Sequence, residues 1–179
     1  LLMDDMPGYI DELEGLITTN EIVLARTRAV GVLTDEQAVN ASVTGPILRA
    51  TGVLWDLRKA DPYEVYDRVD FEVPIGAGGD TFDRYLVRLQ EMRESVKIVE
   101  QCVAQIPEGA VRTEVPFHTH PTEGEAYGAV EAPKGELGFY LVSDGGIAPY
   151  RCKIRSPSFI NLTPLREMLV GWKMADLVT

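Results

Sequence analysis

Residues 127–156, from Tyr127 to Ser156, read YGAVEAPKGELGFYLVSDGGIAPYRCKIRS, and this stretch decides the fold class. Leu137 to Ser143 is rich in aromatic and β-branched side chains. Asp144-Gly145-Gly146 offers the positive-φ residues of a tight turn, and Tyr150 to Ile154 resumes an apolar/polar alternation, so the stretch predicts a β-hairpin. Ala126 to Glu131 supplies a third strand, which Pro133 ends because proline has no N–H to give to a ladder. The connector Ala132-Pro133-Lys134-Gly135-Glu136 is thereby held between two strands. It presents Glu131, Lys134 and Glu136 on stiff backbone, a suitable place for a site.

Upstream of the sheet the pattern is helical. Tyr9, Leu13, Leu16 and Ile17, then Ile22, Val23 and Leu24, recur at helical spacing as far as Arg28; Thr18, Thr19 and Asn20 interrupt them, which gives two helices or one with a break. Thr34 with Gln37 three positions on is a capping-box pattern and predicts a short helix over Asp35 to Val43. From Gly45 to Pro74 no period is sustained, and Gly and Pro mix with Trp55, Tyr63, Tyr66 and Phe71, the signature of an irregular but packed segment. Arg49, Asp56, Arg58, Lys59, Asp61 and Asp67 lie among those aromatics. Charges so placed are expensive to bury unless they pair, so a structural ion-pair network is expected.

Gly76 to Gly79 reads as a flexible hinge, and Asp80 as the cap of a long helix to about residue 106, roughly 40 Å in length. Its apolar stripe runs through Phe82, Tyr85, Leu86, Leu89, Met92, Val96, Val99, Val103 and Ile106. Arg84, Arg88, Arg93 and Lys97 alternate with Glu91, Glu94 and Glu100 around the other faces, read as solvated or, alternatively, as facing a partner. Pro107 to Gly124 is a linker containing the only histidines, His118 and His120, two potential ligands that no nearby Cys or Asp completes, so no metal is expected. After the hairpin, Ser158 or Asn161 caps a short helix through Leu165, Met168 and Leu169, stopped by Gly171, and Trp172 to Val178 forms a further apolar turn. The chain divides into a helical region over 1–109, a linker over 110–124, an antiparallel hairpin region over 125–157 and short helices over 158–179.

Composition narrows the function. A chain 45% apolar and 25% charged is that of an ordinary globular domain, and no apolar run approaches the ~18 residues of a spanning helix. The net charge of −11 argues against nucleic acid and anionic membrane surfaces, whose phosphates are bound by Lys and Arg. Cys102 and Cys152 are far apart and form no CxxC, so neither a disulfide framework nor a complete zinc or iron–sulfur site is encoded, and a reducing compartment is expected. The chain opens on Leu1-Leu2-Met3 and stops at Asp176-Leu177-Val178-Thr179 in what reads as mid-element, so it is expected to be a fragment.

Four ordered blocks carry a resemblance. Val130-Glu131-Ala132-Pro133-Lys134-Gly135-Glu136-Leu137-Gly138, with Tyr140-Leu141-Val142-Ser143-Asp144-Gly145 and Pro149-Tyr150-Arg151, resembles the 49-kDa (D) subunit family of NADH:quinone oxidoreductase, respiratory complex I. Gly45-Pro46-Ile47-Leu48-Arg49-Ala50-Thr51-Gly52 with Trp55-Asp56-Leu57-Arg58-Lys59 is similar to a second segment of that family. Gly79 to Arg88 with Glu91-Met92-Arg93-Glu94-Ser95 is similar to its long-helix segment, and Ser156 to Leu162 to the part after its hairpin. The Val130–Gly138 run is also similar to the EAPRG segment of nickel-iron hydrogenase large subunits, with Lys134 in place of arginine.

The resemblance implies an α+β fold, mostly helical with a small antiparallel sheet and hydrogenase-large-subunit-like, covering the C-terminal half of the family's chain. It implies a share in a quinone cavity formed with an iron–sulfur subunit whose terminal cluster delivers the electrons; this chain would bind no cofactor itself, and quinone would be the substrate. The partners implied are other peripheral-arm subunits, among them the 30-kDa subunit, and a membrane subunit, with NADH bound elsewhere. The location implied is the cytoplasmic side of the inner or plasma membrane, as a peripheral component. The family's His and Tyr that reach the quinone head group would lie upstream of Leu1, an acidic and basic tail beyond Thr179, and a longer insertion where this chain has Pro107 to Gly124. Glu131, Pro133, Lys134, Gly135 and Glu136 would line or brace the cavity. Arg49, Asp56, Arg58 and Lys59 would supply fixed charges coupling quinone reduction to proton movement, or hold the fold as ion pairs. The alternatives are the large subunit of a membrane-bound, energy-converting nickel-iron hydrogenase and a non-catalytic subunit-interface module.

Overall fold

The computed structural model describes residues 2–179 and shows an α+β fold, helices followed by one three-stranded antiparallel sheet. Helix α1 spans Leu2–Ile17 and α2 spans Glu21–Thr27. The break between them comes from Asn20, whose side-chain oxygen accepts from the backbone N–H of Ile22 and Val23 and so starts a new helix. Helix α3, Asp35–Asn40, opens with the expected Thr34/Gln37 capping box but ends short of Val43, because Ser42 takes a positive φ of 57° and turns the chain. Leu33, Ala38 and Val43 are thereby brought onto Leu48 in one buried cluster.

The irregular segment contains two short helices, α4 over Pro46–Ala50 and α5 over Leu57–Ala60. Pro46 occupies the first turn of α4, where its missing N–H leaves nothing unsatisfied. The glycine segment that follows is not a flexible hinge. Gly76 N–H donates to the Arg49 carbonyl at 2.8 Å, Gly79 N–H donates to the Ala50 carbonyl at 3.1 Å, and Leu33 N–H donates to Gly79. A Cβ at Gly76 would lie 2.6 Å from the Ala50 oxygen, so glycine serves close backbone approach here.

Helix α6, Thr81–Gln105, is capped by Asp80, which accepts from Asp83 N–H. Its first three turns and middle bury Phe82, Val87, Leu89, Val96 and Ile98. Ile10 of α1 joins Leu89 and Val96, and Val69 and Phe71 join Ile98, in two further clusters. The predicted stripe fails at its C-terminal end, where Val99, Val103 and Ile106 are exposed because no other described element reaches them. The faces read as solvated are partly engaged: Arg93 pairs with Asp11 and Glu14 of α1, and Arg84 donates to the carbonyls of Gly31 and Gly79.

Strands β1 (Gly124–Ala132), β2 (Gly135–Ser143) and β3 (Arg151–Arg155) lie in the order 1-2-3. The tight connection is Pro133-Lys134, since Ala132 pairs with Gly135. The predicted tight turn at Asp144-Gly145-Gly146 is instead part of a longer loop, because pairing of β2 with β3 stops at Val142–Arg151. Beyond the sheet come α7 (Pro157–Ile160), α8 (Leu165–Met168) and a 3₁₀ turn over Met174–Val178. Asn161 does not cap the helix that follows it; its side chain reaches back to Thr44 and Lys134.

Candidate functional site

The site forms where the β1–β2 turn meets α4 and α6. Arg49, in the last turn of α4, is almost wholly buried, and its guanidinium is divided among three elements. Nε donates to Glu91 Oε1 of α6 at 2.7 Å, with Nη2 at 2.6 Å from the same oxygen. Nη1 donates to Glu131 Oε1 of β1 at 2.9 Å and to the Trp55 carbonyl at 3.0 Å, and lies 3.5 Å from Asp56 Oδ2. Asp56, whose side chain is fully buried, caps α5 by accepting from Arg58 N–H and grips the Arg58 guanidinium through both oxygens, at 2.9 and 2.6 Å. Glu131 accepts from Leu57 N–H through its second oxygen, while its own N–H donates to the Tyr63 hydroxyl at 3.0 Å.

Burial alone would raise the Asp56 carboxyl; the Arg58 guanidinium, with Arg49 behind it, outweighs burial and holds it below its ordinary value. At Glu91 the balance falls the other way. Burial pushes its carboxyl up, and the pull of Arg49 does not fully offset it. The charge count gives the reason, since three carboxylates face the two guanidiniums of Arg49 and Arg58, leaving one negative charge in excess.

The turn is fixed from the other side by hydrogen bonds to its backbone. Glu136 N–H donates to Thr44 Oγ1 at 3.1 Å, Arg155 donates to the carbonyls of Glu136 and Ser42, and Asn161 donates to the Lys134 carbonyl at 2.8 Å. Gly135 has φ of 124°, and a Cβ there would stand 2.5 Å from Thr44 Oγ1. Only glycine fits this close approach of turn and α4 entry without displacement. Glu136 turns its side chain away from the cluster and accepts from the Tyr127 hydroxyl at 2.7 Å.

This turn stands as a wall between two neighbouring cavities. One, of about 340 Å³, has Arg49, Arg58, Arg88, Glu91, Ser95 and Glu131 as its polar lining and Met92, Ala132 and Pro133 as its apolar lining. The other, of about 310 Å³, is lined by Ile47, Arg88, Lys134, Ser158, Asn161 and Leu162. Arg88 borders both, and neither Arg88 nor Lys134 has an ion-pair partner among the described residues. The structure thus joins Glu131 to Arg49, Asp56 and Arg58 in one cluster, with Pro133, Lys134 and Gly135 beside it. Lys59 stays apart, its ammonium 4.1 Å from the centre of the Phe71 ring.

Glu91, Arg88, Tyr63, Thr44, Asn161 and Arg155 were not singled out by the sequence. Glu91 had one usable signal. Val87, Glu91, Glu94 and Ile98 follow one another at helical spacing, and Val87 and Ile98 are buried, so a second inward line runs beside the obvious stripe. His118 and His120 are exposed on the linker; His120 Nδ1 lies 3.3 Å from the Gly145 carbonyl. Among the described residues, Cys102 sits on α6 and Cys152 on β3, and no three His, Cys, Asp or Glu side chains converge as metal ligands.

The model of the family described as respiratory-chain NADH dehydrogenase, 49 Kd subunit, matches residues 1–123 and 116–179. The chain belongs to this family. Its 49-kDa-subunit relatives include a protein of Dehalococcoides mccartyi named as the D subunit of NADH-quinone oxidoreductase, 55% identical over 177 residues, covering 99% of this chain and 48% of the relative. A Roseiflexus protein, named as the first of two or more such D subunits, is 51% identical over 185 residues, 99% of this chain and 50% of its own length. A Wolbachia protein of the same name is 45% identical over 200 residues, 98% and 51% of the two chains. The chain therefore spans about half the length of the 49-kDa-subunit relatives it matches. Their names do not favour the hydrogenase alternative. No helix among the described residues is long and apolar enough to cross a membrane.

Proposed function

We propose that this chain is the part of a quinone-reducing 49-kDa (D) subunit that forms one wall of the quinone cavity in an NADH:quinone oxidoreductase. What supports the reading above all is the β1–β2 turn, fixed at both flanks and standing between two cavities, in a chain whose relatives are named as the D subunit of NADH-quinone oxidoreductase. The roles divide by burial. Pro133 and Lys134, at the tip, line the cavity, while Glu131, Gly135 and Glu136 brace the turn from below. Arg49, Asp56 and Arg58 hold the brace in register, and Lys59 shields an aromatic edge.

Quinone reduction takes two electrons and two protons. In this reading the electrons come from an iron–sulfur cluster held by a neighbouring subunit, and this chain binds no cofactor of its own. Its residues contribute charge and a proton store. Glu91, raised by burial at the cavity edge, holds a proton near neutrality more readily than an ordinary carboxyl, and Lys134 and Arg88 present unpaired positive charge to an anionic quinone species. The partners are the iron–sulfur subunit, the 30-kDa subunit and a membrane subunit, with NADH bound elsewhere and the assembly peripheral on the cytoplasmic face. The kinship with hydrogenase large subunits, suggested by the Glu131–Gly135 run, belongs to the same proposal.

Lys134→Ala and Glu136→Ala in the assembled complex test it. NADH oxidation by quinone should fall while NADH oxidation by a small water-soluble acceptor, which bypasses the quinone step, is retained. Normal quinone turnover in both variants overturns the site assignment.

A further inference from the structure

The sheet of this chain is inside out. Side chains alternate across a strand, so the register sorts them into two faces. Tyr127, Glu131, Glu136, Tyr140, Lys153 and Arg155 share one face, and this charged face is the one packed on the rest of the chain through Arg49, Thr44 and Ser42. The opposite face carries Ala126, Gly128 and Val130 from β1, Leu137, Phe139 and Leu141 from β2, and Cys152 and Ile154 from β3. It holds no charged or hydrogen-bonding side chain other than the thiol. Val130, Phe139, Leu141 and Ile154 are between 40 and 56% exposed, in register across all three strands, so the patch is continuous.

A sheet face of this composition has to be buried against another layer, and no described helix of this chain lies on it. Surfaces that exchange partners keep a polar rim and polar contacts, whereas a face with none resembles a domain core cut in half. The chain spans only about half the length of its relatives, so a family-length polypeptide brings as much chain again. We infer that the apolar face of β1–β2–β3, centred on Phe139, Leu141 and Ile154, is the docking surface for the half of the family-length polypeptide that lies outside residues 1–179, and that the sheet is the middle layer of that protein's core. This goes beyond the quinone reading and does not depend on it.

Replacement of Phe139 by the photo-reactive p-benzoylphenylalanine in the full-length subunit of the assembled complex tests the occupant. Irradiation should give an intrachain crosslink, leaving the subunit's mass on denaturing gels unchanged, with the Phe139 peptide joined to a peptide from outside residues 1–179. In the unmodified complex, Cys152 should resist N-ethylmaleimide until denaturant is added, a readout that survives should the photo-reactive variant fail to assemble. A crosslink to another subunit or to a second copy of the same subunit overturns the inference, and so does free labelling of Cys152 in the native complex. Neither readout involves quinone turnover, so this inference can fail while the proposed function stands.

Discussion

Arg49 is the residue on which three elements of the structure depend, because it alone bridges Glu91 of α6, Glu131 of β1 and the carbonyl of Trp55. Removing one partner of a buried ion cluster leaves the others uncompensated, so Arg49→Met should destabilise the subunit by about 3–5 kcal/mol, measured by denaturant unfolding. Glu91 gives a pH signature. Its ordinary value is 4.5 and its folded value lies higher, so between the two the folded state binds more protons than the unfolded state. Its stabilising contribution is fully present below 4.5 and is lost as pH rises through the folded value. The stability difference between the parent and Glu91→Gln should therefore shrink as pH rises through that window. Asp56 behaves oppositely, since its folded value lies below 3.8 and its contribution is lost as pH falls through it. The ion cluster was legible in the sequence because Arg49, Asp56 and Arg58 crowd among aromatics in a segment with no period. Glu91 was not, because a carboxylate among alternating charges on a long helix looks like any solvated one, and only the distant Glu131 and Arg49 reveal where that face points.

At the scale of elements, the β1–β2 turn is pinned by backbone approach as much as by charge. Gly135→Ala should displace the turn from Thr44 and destabilise by more than the ~1 kcal/mol typical of a tolerated glycine change, because φ is 124° and the added carbon has no room. Gly128→Ala, in open space on β1 with no positive φ, should be nearly silent in the same unfolding experiment. The strands themselves were legible from β-branched and aromatic runs. Which connection is tight was not, since Asp144-Gly145-Gly146 has the better turn chemistry but the ladder stops at Val142, while Pro133-Lys134 closes in two residues through the positive φ of Gly135. The Gly76–Gly79 segment misled for a related reason. Glycine signals either freedom or close contact, and here the Arg49 and Ala50 carbonyls decide for contact.

At the scale of the whole molecule, apolar surface remains uncovered in two places, the outer face of the sheet and the end of α6 at Val99, Val103 and Ile106. The apolar stripe of α6 was legible from its spacing; what lies over its last turns was not, because no described element of this chain covers them. Surface of this kind drives association, so residues 1–179 on their own should self-associate and bind ANS, as sedimentation and dye fluorescence would report, and Phe139→Lys should reduce both. The proposed cavity wall is itself a whole-molecule claim, since it needs the turn, α4 and α6 together. Photo-affinity labelling of the assembled complex with an azido-quinone tests it most directly. The proposed function predicts label in the peptides that carry Arg88 to Ser95 or Glu131 to Lys134, displaced by excess quinone; label confined to peptides that line neither cavity would contradict it.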